Sequence, residues 1–253
     1  MKRMILSVVV FMLVLTLIVG CGNTQTEQPS NDPTEPTNEQ LPTQNNGNDV
    51  FNSDSPYVNA AYAQQIGRYF TAVAKKWDEN TCLENGVSAL TAGYYEGNPF
   101  DNVGFANIDL DGNGVQELII GAIGNAAQNP LVFEIWTLKN DEPVMLVQSD
   151  NANRYYLQYA EDDELWSIAY EAERSATNYG VYCLQLFDGE LEVSQGVIYD
   201  AGANAKNPWF MVYDLDWKVS SDDSVDEDLA NAIISASKRL YTTAEYIPYS
   251  LCK

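Results

Sequence analysis

Residues 179–199 read YGVYCLQLF, then Asp188-Gly189, then ELEVSQGVIY. The two flanking runs are rich in β-branched and aromatic side chains, which favour extended strands. Asp-Gly between two such runs is a strong hairpin pattern, because both residues tolerate the positive φ angles of a two-residue turn. This stretch therefore predicts two long antiparallel strands joined by a tight turn.

The same pattern continues on both sides of this hairpin. Strands are predicted at Val103–Asp109, Gln116–Ile123, Leu131–Leu138, Pro143–Gln148, Arg154–Tyr159, Glu164–Glu171, Tyr179–Phe187, Glu190–Tyr199 and Trp209–Leu215. Most of the joints between them are short, and a parallel pair needs a crossover of a dozen or more residues. The predicted sheet is therefore largely antiparallel.

Helical patterns flank the strand region. Apolar residues recur at helical spacing from Val58 to Trp77, where Ser55 is a candidate cap and Pro56 suits a first turn. A shorter helix is predicted near 83–92. A last one is predicted over about 225–240, with Ser224 and Glu227 as a capping box. The predicted fold class is therefore α+β: an antiparallel β-meander packed with N-terminal and C-terminal helices.

The N-terminus has a separate organisation. Met1-Lys2-Arg3 precedes an apolar run that ends in Ile18-Val19-Gly20-Cys21. The run is shorter than the roughly 20 residues of a spanning helix. It resembles the lipobox of bacterial lipoproteins, which implies that Cys21 receives a diacylglycerol and becomes the new N-terminus. The alternatives are an ordinary secretory signal or a short uncleaved anchor.

Three segments follow from this organisation. Residues 1–21 are the lipoprotein signal peptide with its lipobox. Residues 22–54 are rich in Thr, Gln, Asn, Pro and Glu, and they carry too little apolar surface to order themselves, so they are predicted to be a disordered tether. Residues 55–253 form a single globular domain. The lipobox implies a location on the extracytoplasmic face of the cell membrane, held there by lipid.

Charge and composition exclude several classes of function. The chain carries 36 Asp and Glu against 13 Lys and Arg, a net charge of −23, and nucleic acid is therefore not an expected partner. It has no histidine, which excludes Ser-His-Asp and Cys-His catalysis and His-ligated zinc. Beyond Cys21 three cysteines remain, of which Cys82 and Cys252 are the predicted pair and Cys183 is interpreted as core.

Residues 107–121 contain the one motif with metal chemistry. Asp109, Asp111 and Asn113 alternate around two glycines, and Glu117 follows. Oxygen ligands at this spacing on a tightly curved loop can converge on calcium, with the Val115 carbonyl completing the set. The alternative is a Gly-rich hairpin turn in which Asp and Asn side chains accept hydrogen bonds from the backbone.

The motif resembles the first half of an EF-hand, but Ile120 stands where that family has a bidentate Glu. It is more similar to the Asp-x-Asp-Gly-Asn-Gly-x-x-Glu loops of integrin-type (FG-GAP) repeats and of uncharacterised surface lipoproteins of Gram-positive bacteria. That resemblance implies one structural calcium held by Asp109, Asp111, Asn113, Val115 and Glu117. A single copy does not predict a propeller.

We found no catalytic motif, so the expected function is a non-enzymatic surface module. It would be anchored in the membrane by lipid and present a sheet face to an extracellular glycan or protein. The alternative is a carboxylate-dependent hydrolase of cell-wall or dietary glycan. Its acidic pair would come from Asp214 and Asp216 with Asp200 or Glu171.

Overall fold

A computed structural model of the chain describes residues 49–124, 131–161 and 164–253. The predicted signal peptide, Cys21 and most of the predicted tether lie outside these residues. Within them, none of the helices is both long and apolar enough to cross a membrane.

The packed chain includes residues upstream of Ser55. The Asn52 N–H donates to the Cys252 carbonyl over 2.9 Å, and the Lys253 ammonium lies 2.8 Å from an Asp49 carboxylate oxygen. The two ends of the described chain therefore meet, and the last part of the predicted tether contacts the domain.

The described residues form one ten-stranded antiparallel sheet with a few helices, which confirms the α+β class. The strand order is β10-β1-β2-β3-β5-β6-β7-β8-β9, and β4 pairs with β3. The strands are β1 (Val103–Ile108), β2 (Glu117–Ala122), β3 (Leu131–Lys139), β4 (Glu142–Gln148), β5 (Asn153–Ala160), β6 (Leu165–Ser175), β7 (Asn178–Phe187), β8 (Glu190–Asp200), β9 (Trp209–Val212) and β10 (Ile247–Pro248).

Two turns, including the predicted Asp188-Gly189, have the backbone that a tight hairpin requires. Asn140 and Asp141 join β3 to β4 with φ angles of 53° and 65°, and Asp188 and Gly189 join β7 to β8 with φ angles of 49° and 75°. Positive φ at both central residues is the type I′ geometry, whose twist matches the strands beside it.

The sheet departs from a simple meander at β3. One end of β3 pairs with β5 and the other end pairs with β4, so both strands share one edge. The far half of β5 is paired instead by the chain that follows the last helix. There the Thr242 N–H donates to the Leu157 carbonyl over 2.9 Å, and the Tyr159 N–H to the Leu240 carbonyl over 3.1 Å.

The helices lie before and after the strand region, as predicted. They are α1 (Ala63–Lys75), α2 (Glu79–Glu84), α3 (Pro99–Asn102) and α4 (Glu227–Arg239), with 3-10 turns at Ala60–Tyr62, Ala89–Tyr94, Ser221–Asp223 and Tyr249–Cys252. The predicted helix over 83–92 is wrong, because Gly86 at φ 66° separates α2 from the next 3-10 turn.

Two predicted caps are also wrong. Asn59 rather than Ser55 begins the first helical segment, since its side chain accepts from the Ala61 N–H. Asp226 rather than Ser224 caps α4 and accepts from the Leu229 N–H over 2.7 Å. Both replacements are Asx caps, which satisfy an otherwise unpaired N–H of the first turn.

The core lies on both faces of the sheet. On one face the apolar stripe of α1, including Ile66, Tyr69 and Phe70, packs against strand residues such as Phe133. On the other face the buried residues come from strands and loops, and no helix residue is among those described. That sheet face is therefore covered by strand and loop residues rather than by a helix within the described chain. A small third cluster packs beneath α4.

The three described cysteines are free, so the predicted Cys82–Cys252 pair is wrong. Both residues are fully buried. The Cys82 Sγ lies 3.7 Å from the Trp77 carbonyl and 3.8 Å from the Tyr95 hydroxyl. Each thiol behaves as a small core side chain, a common role for buried cysteine.

Candidate metal centre

The candidate site is the loop that joins β1 to β2. β1 ends at Ile108 and β2 begins at Glu117, so the loop spans residues 109–116. Gly112 and Gly114 adopt φ angles of 73° and 89°, a region that residues with a Cβ rarely enter. Leu110 is buried in the second core cluster and fixes the loop to the sheet.

Glu117 is the buried member of the site. Its side chain has no solvent exposure. One carboxylate oxygen accepts from the Leu110 N–H and the other from the Thr137 hydroxyl, each over 2.9 Å. Burial raises the pKa of this carboxyl, and the nearby charges of Asp111 and Asp109 raise it further. The two hydrogen bonds lower the pKa but do not offset the rise.

The two aspartates hold the backbone of the turn. Asp109 accepts from the Asn113 N–H over 3.1 Å and from the Gly114 N–H over 2.9 Å. Asp111 accepts from the same Asn113 N–H over 3.2 Å. These bonds curl the loop so that both carboxylates face its concave side.

One oxygen each from Asp109, Asp111 and Glu117 lies within 4.8 Å of the other two. Ligands on opposite sides of a calcium ion at ~2.3–2.6 Å would be about 5 Å apart, so this spacing fits one coordination shell. None of the three forms a salt bridge among the described residues. The cluster could therefore hold a metal ion, and its negative charge has no Lys or Arg partner there.

The other two predicted ligands, Asn113 and Val115, lie in the same turn. The Asn113 amide nitrogen donates to Asp111 over 3.0 Å, and its oxygen accepts from the Val115 N–H over 2.6 Å. The Asn113 side chain therefore lies beside Asp111 within the turn, and the three carboxylates that converge are three of the five predicted ligands. Val115 contributes its N–H to that turn.

Comparisons with protein-family models, with curated proteins and with solved structures found no match for this chain. The candidate site is therefore supported by the geometry of its own residues.

Two supporting residues have no signature in the sequence. Thr137 lies on β3, twenty positions from Glu117, and only the strand register brings it to the carboxylate. The Tyr62 hydroxyl donates to the Gln116 carbonyl over 2.9 Å. Tyr62 is fully buried beside α1, so it ties the base of the loop to the helical layer.

The carboxylates of the alternative glycan hydrolase are engaged elsewhere. β9 ends at Val212, so Asp214 and Asp216 lie on the loop beyond it rather than at a strand end. Asp216 forms a salt bridge with Lys218. Hydrogen bonds from Lys218 lower the pKa of the Asp216 carboxyl to about 2. Asp200 accepts from backbone N–H groups of its own loop.

Both sides of the sheet carry buried core residues. Among the described residues, a groove of about 380 Å³ lies beside α4. Of the acidic residues considered for hydrolysis, only Glu171 lines it.

Proposed function

We propose that this chain is a lipid-anchored extracytoplasmic protein whose domain holds one structural calcium ion and serves as a surface binding module. The calcium assignment depends on one observation above all. Three carboxylates converge in the loop of residues 109–117, and no basic side chain in the described part of the chain forms a salt bridge with them.

The donor set favours calcium. All three groups supply oxygen, and hard cations such as calcium prefer oxygen ligands. Zinc sites use Cys and His, and neither residue type is present in this loop. Magnesium demands a near-ideal octahedral shell, whereas calcium tolerates the irregular arrangement of a loop of mixed side chains. A bound divalent cation would also relieve the repulsion around buried Glu117.

Thermal unfolding of the full-length chain tests the site. If the dissociation constant is ~10⁻⁴–10⁻³ M, as in extracellular modules, about 10 mM calcium contributes ~1.4–2.7 kcal/mol. For a domain of this size that corresponds to a rise in Tm of about 3–10 °C over the chelated protein.

Asp111→Asn should remove most of this rise, because it deletes a ligand charge. Asp222→Asn is the matched control, because Asp222 is exposed and lies outside the loop. Equal melting temperatures for the wild type with calcium and with chelator would contradict the calcium proposal.

The lipid anchor is supported by residues 1–21, in which a basic start and an apolar run end at Gly20-Cys21. Two or three acyl chains anchor a protein stably where one does not. Growth of a bacterial host with an alkyne-tagged fatty acid should label the chain, and Cys21→Ser should abolish the label. An unlabelled protein processed at another residue would contradict the lipoprotein assignment.

A further inference from the structure

A groove of about 380 Å³ opens between the sheet and α4. Its floor is the start of β5, the end of β6 and the start of β7, and α4 forms one wall. Its size lies within the ~300–1,000 Å³ range of small-molecule sites. The residues that matter for its chemistry are Arg154, Glu171, Glu173, Val181, Ile234 and Lys238.

One pair of charges in the groove is already satisfied. The Lys238 ammonium lies 3.0 Å from a Glu171 carboxylate oxygen. The Tyr241 hydroxyl donates to the same oxygen over 2.9 Å. These contacts fix the end of α4 against β6 and leave little of this pair free for a ligand.

A second pair of opposite charges remains open. Arg154 and Glu173 are both exposed, and neither forms a salt bridge within the described ranges. Arg154 stands opposite Glu171 in the β5–β6 register, and the Glu173 N–H donates to the Ala152 carbonyl. Arg154 and Glu173 are therefore diagonal neighbours, at a typical separation of about 7–8 Å.

This geometry points to a zwitterionic ligand. We propose that the groove binds a short peptide with free ends, in which the carboxylate pairs with Arg154 and the ammonium with Glu173. An extended chain rises about 3.3–3.6 Å per residue, so a dipeptide spans about 7 Å, comparable with the spacing of the two residues along the sheet. The long, exposed side chains of Arg154 and Glu173 can adjust to its two ends. A guanidinium also recognises a carboxylate through two parallel hydrogen bonds.

Charge and packing favour this ligand over an anion. The whole chain has a net charge of −23, which repels anions at long range, whereas a zwitterion carries no net charge. Val181 and Ile234 supply an apolar surface for small side chains between the two charged groups. The inference deepens the proposed binding module by naming its ligand class, and it uses none of the calcium loop.

Titration calorimetry of the full-length chain with Ala-Ala and Ala-Leu tests the proposal. The free dipeptides should bind, and acetylation of the amine or amidation of the carboxylate should weaken binding by at least about tenfold, equivalent to ~1.4 kcal/mol. Arg154→Gln and Glu173→Gln should each weaken binding of the free dipeptides by a similar factor. Arg239→Gln and Glu192→Gln are the matched controls, since both residues are exposed and outside the groove.

Three results would overturn the inference. The first is that neither free dipeptide binds at about 10 mM, well above the Kd expected of a specific site. The second is that blocked and free dipeptides bind equally, and the third is that N-acetylglucosamine saturates the groove while the dipeptides do not. The calcium-dependent melt separates the two proposals. A normal calcium shift without dipeptide binding would remove this inference alone, and dipeptide binding without a calcium shift would remove only the metal centre.

Discussion

A buried ion pair attaches α1 to the sheet, and its disruption is the most decisive test of the packing described above. Glu134 on β3 has no solvent exposure, and its carboxylate lies 3.6 Å from the Arg68 guanidinium of α1. It also accepts from Trp136 Nε1 and from Gln148 Nε2, each over 2.7 Å. The guanidinium stacks over the Trp136 ring at 5.3 Å.

Glu134→Gln preserves shape but removes the charge. Its single oxygen can serve only one of the two donors, and its amide group then faces the other. Breaking a buried pair in this way destabilises a protein by ~3–5 kcal/mol, which corresponds to a fall in Tm of about 6–20 °C for a domain of this size. Urea unfolding followed by circular dichroism measures the change in free energy. Glu192→Gln on exposed β8 is the control and should stay within about 0.5 kcal/mol of the wild type.

The partner substitution Arg68→Met should show a pH dependence of definite sign. Burial raises the pKa of Glu134, and Arg68 is the largest influence that lowers it. Without Arg68 the folded-state pKa rises further above that of the unfolded chain. An acid with a raised folded pKa contributes stability that is lost as pH increases through that pKa.

The destabilisation by Arg68→Met should therefore be larger at about pH 7 than at about pH 5. Equal losses at both pH values would refute the electrostatic account. A Glu134→Gln variant as stable as the Glu192→Gln control would refute the role of the pair altogether.

Two further outcomes follow from packing. Gly121→Ala should lower the free energy of unfolding by about 1–3 kcal/mol, because the new Cβ would overlap the Tyr246 hydroxyl. Tyr246→Phe should restore part of that stability. Gly93→Ala should not reproduce the loss, because Gly93 has open space around it. The thiols of Cys82 and Cys252 should resist iodoacetamide until the protein unfolds, because burial raises their pKa values. Rapid labelling in the native state would contradict their burial, and an intact mass that increases on reduction would contradict their being free.

The sequence-based predictions that were wrong rested on local pattern or on position along the chain. The helix over 83–92 and the caps at Ser55 and Ser224 rested on local pattern, and neighbouring residues with better geometry took those roles. The Cys82–Cys252 pair was inferred from position along the chain, which carries no information about the distance between sulfur atoms. β10 was not predicted because two residues carry no detectable periodicity.

Local sequence determined the features whose physics is local. Alternating apolar residues and short turns such as Asp188-Gly189 were enough to predict β1 to β9 and the antiparallel α+β class, because strand pleat and turn backbone depend on adjacent residues. The carboxylates of the loop of residues 109–117 were identified in the same way. The tertiary structure brought these carboxylates together, placed Thr137 against Glu117 and Arg68 against Glu134, and opened the groove beside α4. These relations depend on strand register and helix docking, which join residues far apart in the chain and leave no periodic trace in it.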